Sequence, residues 1–299
     1  MTVGLLPPEL SRSTLTFRPR GRQQQLRRAG DGRGVRFERS PEFAELRPYA
    51  AGDDVRQLDW AATARTGVPF VRRTVAPRSS SVAIFLDQTA SMAVGEGDTA
   101  AFRPIDAAAA VCEWLATLAI RQGGDVTLDR FPNAVGEVPL KTRSSATLNG
   151  WLQDRVCGGE AQPADAATPV MDTTKLADSL VVVISDFASN AAGWENWFAS
   201  HQGYDVIAVQ VGSDAGVPLN VGGPVMFVDA ETGETLEANV GHLAADYRDS
   251  FATRQRQLLA AARRSMIEFW PIHAPSRDEL AMQLASRLAD RERRLGPTS

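Results

Sequence analysis

The sequence predicts an α/β protein with a Rossmann-like, mostly parallel central sheet covered by helices on both faces, preceded by an irregular N-terminal arm. Three observations carry that expectation. The short uncharged runs "SVAIFL" and "SLVVVIS" have the length and β-branched content of strands buried on both faces. They alternate with stretches of helical periodicity, and strand–helix–strand units in one sheet close as right-handed parallel crossovers. Two of the runs end in a carboxylate with hydroxyls beside it, at Asp87 in "FLDQTAS" and at Asp186 in "VISDF". Open α/β sheets place their sites at that carboxyl edge.

In chain order, residues 1–40 are rich in Arg, Gly and Gln, with "RPRGRQQQLRRAGDGRG" at their centre, and read as a mobile segment. Residues 41–80 mix aromatics, carboxylates and Arg with turn residues and read as an ordered but irregular arm packing on the main domain. Residues 81–295 form that domain. Its first strand, 82–86, precedes a helix over 104–121 with Pro104 in the first turn. A strand follows at 125–131, then a short edge strand at 134–140 and a helix over 145–156 capped by Ser144 or Ser145. The strongest strand is 179–187, followed by a helix at 191–201 and a strand at 204–211. Residues 224–240 read as a hairpin turning at Thr232 and Gly233, and helix 245–264, strand 266–271 and helix 277–293 complete the series.

Composition narrows the classes. The 299 residues, 43% hydrophobic and 23% charged, suit a globular protein. The two cysteines, Cys112 and Cys157, form no C-x-x-C pair, which argues against a disulfide scaffold or zinc ribbon and fits a reducing compartment. No apolar stretch approaches a membrane span, and "MTVGLLPPELSRS" lacks the basic and long apolar regions of a signal peptide. The expected location is therefore the cytoplasm. Charge is segregated: residues 1–80 hold 15 Arg against 8 Asp and Glu, net +7, and the rest hold 17 Lys and Arg against 28 acids, net −11. A basic arm on an acidic domain fits contact with its own domain. Nucleic acid is not expected, because neither a stacking surface nor a recognition motif accompanies the charge.

Asp and hydroxyl oxygens are hard ligands suited to Mg²⁺, Mn²⁺ or Ca²⁺. The spacing of Asp87, Thr89 and Ser91 across a strand-to-loop turn can aim alternate side chains at one point, and Ser185–Asp186 ends a second strand in the same way. The alternative is that Asp87 and Asp186 only cap the helices that follow. A second Asp two residues after Asp87, as in dehalogenase-type phosphotransferases, is replaced by Thr89. Dinucleotide, P-loop and nucleophile-elbow motifs do not occur, and His201, His242 and His273 are dispersed. No nucleophile with its base emerges, so the chain is not expected to be an enzyme.

The segment "ELRPYAAGDDVRQLDWAATARTGVPFVRR", followed by "IFLDQTASM", "VVVISDF" and "VDAETGE", closely resembles domain-of-unknown-function family 58. Arg47, Tyr49, Gly52, Asp53, Asp54, Arg56, Asp59, Trp60, Ala64, Arg65 and Thr66 carry the match, which spans about residues 35–293. The resemblance implies a von Willebrand factor A-like domain with a metal-ion-dependent adhesion site. Asp87, Thr89 and Ser91 match its first loop, with Thr in place of the first Ser, and Asp186 matches the later Asp. The loop Thr of that site has two candidates, Thr147 and Thr168. The resemblance further implies that a partner's Asp or Glu completes the cation's shell. Relatives of this kind are often encoded beside MoxR-type AAA+ ATPases, implying joint chaperone-like assembly or metal insertion.

In the arm, Arg47, Tyr49, Asp53, Asp54, Arg56, Asp59, Trp60 and Arg65 are expected to dock the arm or a partner, with Trp60 as the apolar anchor. The expected function is therefore a protein–protein interaction module. Two alternatives remain: a metal-dependent hydrolase or nuclease using Asp87 and Asp186, and a scaffold with a degenerate metal site.

Overall fold

The computed structural model describes residues 7–11, 45–50, 53, 55, 58–73, 81–93, 103–132, 138–154, 168–169, 179–188, 191–212, 223–230, 232–274 and 276–295. By contacts the chain divides into two units, residues 80–295 with 1–31, and residues 32–79 with 296–299.

The larger unit is built on strands β3 (Ser81–Asp87), β4 (Asp125–Phe131), β5 (Leu140–Thr142), β6 (Ser179–Ser185), β7 (Asp205–Val211) and β10 (Glu268–Ile272). Their order is β10-β7-β6-β3-β4-β5, all parallel except β5, which runs antiparallel to β4. The chain moves outward from β3 to β4 in one direction and from β6 to β7 to β10 in the other. The topological switch, where open α/β sheets form their crevice, therefore falls between β3 and β6. This is a mixed α/β fold with a mostly parallel central sheet flanked by helices, as the sequence predicts. All seven residues of β6 and of β7 are buried, the mark of strands covered on both faces.

Helices α4 (Pro104–Arg121), α5 (Ser145–Leu152) and α8 (Arg277–Leu295) share one core with the Val82, Ile84 and Leu86 face of β3. Fourteen of the 18 residues of α4 are buried, and the run Ala107–Ala110 lets the helix approach the sheet closely. Leu10, on the short α1 (Pro8–Ser11), joins this core and α1 packs on α8. On the opposite face, Ala83 and Phe85 pack under α6 (Ala191–Ser200) and α7 (Val240–Arg264), where Trp194, Trp197, Phe198 and Phe187 form an aromatic cluster. A buried ionic cluster pins α8: Arg291 donates to Asp205 at 2.6 Å and to Glu268, and Arg294 donates to Glu268 at 2.7 Å. The open edge of β10 is blunted. Pro271 withholds an N–H, Arg287 donates to the Pro271 carbonyl at 3.3 Å, and the Gln283 amide bonds both backbone groups of His273.

Among the described residues, a separate hairpin, β8 (Pro224–Val228) and β9 (Thr235–Asn239), pairs only with itself and leads directly into α7. In the smaller unit, β1 (Glu45–Pro48) pairs antiparallel with β2 (Phe70–Arg73) around α2 (Trp60–Thr66). The arm thus has regular elements where the sequence predicts irregular structure. Its signal is local: Asp59 caps α2 through the Ala62 amide at 2.9 Å, and Gly67 at φ 72° ends the helix. An edge strand is described at 140–142, while residues 134–137 of the expected 134–140 strand lie outside the described residues, and α7 begins at Val240 where 245 is expected. The Arg-rich centre of residues 1–40 lies outside the described residues. Among the described residues, no helix is long and apolar enough to cross a membrane.

Candidate functional site

Strands β3 and β6 pair in parallel with Leu86 opposite Ile184, so their last residues meet at one edge. Asp87 is almost fully buried there. One of its oxygens accepts the Thr89 amide at 2.8 Å, and the other accepts the Ser185 hydroxyl at 2.5 Å. The Thr89 and Ser91 hydroxyls lie 3.1 Å apart, at the start of the short α3 (Ala90–Ala93). Thr89 is buried and Ser91 half-buried, so the set opens outward through Ser91 and the half-buried Asp186.

The turn after β6 is held from several sides. Phe187 adopts φ 55°, a left-handed conformation that is costly for an aromatic residue. Its amide donates to Ser185 Oγ at 2.9 Å, and its ring packs 4.5 Å from Trp194. Asp186 accepts the Ala188 amide at 2.9 Å. Gln210, buried on β7, donates to the Asp186 carbonyl at 3.1 Å and accepts from Gln255 on α7 at 2.5 Å. On the other flank, Gln88 bonds the Phe131 carbonyl through its backbone and accepts from Arg130 at 2.8 Å.

Burial raises the Asp87 carboxyl from the usual carboxylate range to about 7, and the neighbouring Asp186 charge adds to the rise. The hydrogen bonds from Ser185 and Thr89 act in the opposite direction by stabilising the anion. Without a cation, this carboxylate is therefore costly at neutral pH. Among the described residues, no group of three or more His, Cys, Asp and Glu could hold a metal ion, so any cation here would rest on two carboxylates and several hydroxyls.

The loop-Thr candidates separate. Thr147 is exposed in the first turn of α5, its amide donating to the Ser144 hydroxyl. Arg143, just before that helix, pairs with Asp125, which lies in register with Ser81. Thr147 therefore follows a segment anchored at the Ser81 end of β3, which lies roughly 20 Å from the Asp87 end at the rise of a strand. Thr168 is half-buried beside Pro169, whose carbonyl accepts the Trp197 indole N–H at 2.8 Å, on the face of the sheet that carries α6.

Among the arm residues, Trp60 is 70% exposed at the first position of α2. Asp59 is the buried polar group there, used as the helix cap. Asp53 accepts the Ala50 amide at 2.9 Å, Tyr49 bonds the Pro69 carbonyl through its backbone, and Arg65 reaches back to the Ala61 carbonyl. Arg47 lies in β1 with its side chain outside the described residues, as do Asp54 and Arg56 entirely. Sequence reasoning missed Ser185 as the direct partner of Asp87, and Gln210 as the support of the Asp186 turn. Polar residues inside otherwise apolar strands were their only signal.

Fold and site together define an α/β protein with oxygen donors gathered at the switch point of a parallel sheet. The chain belongs to the family described as "Protein of unknown function DUF58", whose model matches residues 45–260. Uncharacterized proteins of Mycobacterium bovis and Mycobacterium tuberculosis are 30% identical over 239 residues, covering 75% of this chain and 70% of theirs. Two solved structures are remotely similar. The conserved hypothetical protein BatB of Bacteroides thetaiotaomicron has a TM-score of 0.40 and 14% identity, covering 71% of this chain and 99% of that one. An aerotolerance-related membrane protein of Bacteroides fragilis has a TM-score of 0.35 and 13% identity, covering 71% and 100%. Likenesses this distant carry no argument about function.

Proposed function

We propose that this chain is a von Willebrand factor A-like interaction module whose Asp87, Thr89, Ser91 and Asp186 hold a hard divalent cation, Mg²⁺, Mn²⁺ or Ca²⁺. A partner's Asp or Glu would complete the cation's shell and bridge the two proteins. The partner in this reading is a MoxR-type AAA+ ATPase, acting with the chain in assembly or metal insertion in the cytoplasm. One observation supports the reading: the switch point between β3 and β6 gathers a buried carboxylate and paired hydroxyls at one edge of the sheet.

The hydroxyl spacing supports an ion of the Mg²⁺ type. Around a cation with six oxygens at about 2.0–2.1 Å, adjacent oxygens stand about 2.9 Å apart. The Thr89 and Ser91 hydroxyls, 3.1 Å apart, already have that separation. A bound cation supplies positive charge that stabilises the Asp87 anion and draws in a carboxylate from outside. The chain's own part is to orient the donors: Ser185 holds one Asp87 oxygen, and Gln210 with Phe187 fixes the Asp186 turn. A hydrolase would need a general base beside these carboxylates. His201 instead sits at the end of α6 bonded to the Trp197 carbonyl, and His273 is bonded to Gly212.

The test is calorimetric titration of the folded protein with Mg²⁺ and Mn²⁺, with Asp87→Ala in parallel. Saturable binding lost in the variant supports the site. A folded wild type that binds neither ion, or a variant that binds equally well, overturns it.

A further inference from the structure

We propose that the β8–β9 hairpin is a docking projection for a second protein whose apolar contact surface is ringed by Lys and Arg. Met226, Val228 and Leu236 are 66%, 60% and 61% exposed on this hairpin. Met226 and Val228 alternate along β8 and share one face, while Leu236, opposite Phe227 in the register, belongs to the other. An isolated two-stranded hairpin is marginal by itself, and this one shows water large side chains on both faces.

The hairpin is nonetheless stiffly built. Asp229 accepts the Thr232 amide at 2.8 Å, the Asp229 amide bonds the Glu234 carbonyl at 2.8 Å, and Gly233 at φ 71° turns the chain. A preformed tip loses little freedom on binding. It is also carried past the carboxyl edge of the sheet. Arg254 of α7 donates to the Ala188 carbonyl just beyond β6, and the helix runs on from there to Val240, a further 14 residues or about 21 Å.

Charge specifies the occupant. Residues 176–247 contain no Lys or Arg and ten Asp and Glu. Of these, Asp229, Glu234 and Glu237 stand exposed around the apolar residues. Such a surface repels anionic lipid and repels its own copy across a two-fold axis, and it attracts a basic protein surface. The inference does not depend on a cation at Asp87.

The experiment installs the photo-crosslinker p-benzoylphenylalanine at Met226, and separately at Val228, in the full chain in cells of the source organism. Met282, 54% exposed on α8, is the control position. The adducts are digested and the crosslinked peptide is sequenced. The expected result is an adduct to another protein, at least tenfold above Met282, through a peptide with an excess of Lys and Arg over acids. Charge reversal by Glu234→Lys and Glu237→Lys together, which keeps the Asp229 turn, is expected to lower its yield about tenfold, and Asp87→Ala is expected to leave it in place. A yield equal to that at Met282, an adduct to lipid or to a second copy, an acidic crosslinked peptide, or loss of the adduct in a folded Asp87→Ala chain would each overturn the proposal. Failure of the calorimetric titration alone would leave it standing.

Discussion

Replacing Asp87 by Asn probes the energetics of the site directly. Asn keeps the shape: its oxygen can accept from the Thr89 amide and its nitrogen can donate to Ser185 Oγ. What it removes is an ionisable group whose pKa is raised from 3.8 to about 7 in the folded protein, first by burial and then by Asp186. Between those values the folded state keeps a proton that the unfolded state has released. Stability from this group is therefore fully present below about pH 4 and is lost as pH rises through 7. The difference corresponds to about 4 kcal/mol. In a protein of this size that is on the order of 10 °C in Tm. Thermal melts of both proteins between pH 4 and pH 8, in chelator and in Mg²⁺, measure it. In chelator the wild type should lose on the order of 10 °C more than Asp87→Asn as pH rises, and Mg²⁺ should restore the wild type alone. Parallel pH profiles would show that Asp87 is not an unpaid buried carboxylate. Equal stabilisation of both by Mg²⁺ would move the cation elsewhere.

Three further outcomes follow from named contacts. Ser185→Ala removes the hydroxyl that stabilises the Asp87 anion and the acceptor of the buried Phe187 amide. The Asp87-linked loss of stability should move to higher pH, with about 1–3 kcal/mol lost overall in urea unfolding. Arg291→Met leaves Asp205 and Glu268 facing each other without their shared buried guanidinium, and should cost about 3–5 kcal/mol by the same measurement. Asp59→Ala removes the α2 cap and should cost about 1 kcal/mol, seen as faster hydrogen exchange at the Ala62 amide.

Much of the domain was legible in the chain because its signals are local. β6 and β7 are buried on both faces, so every residue must be apolar or internally bonded, and an uninterrupted run such as "LVVVI" has few other uses. Helix α4 carries Pro104 in its first turn, and the hairpin carries its Gly233 turn. The arm was less legible because β1, α2 and β2 are too short for periodicity to register. An aromatic residue beside a capping Asp looks the same in sequence whether its ring faces a core or the solvent, and Trp60 is exposed.

The sequence by itself determined that two strands would each end in an acid with hydroxyls nearby, because residue order along a strand needs no knowledge of its neighbours. Only the tertiary structure decided that β3 and β6 would be adjacent. Strand order is a property of crossovers, which the chain's local pattern does not encode. The same adjacency chose Ser185 as the group that meets Asp87. Side chains alternate across a strand, so Ser185 and Asp186 leave it in different directions, and the register of the pair determines which one bonds Asp87.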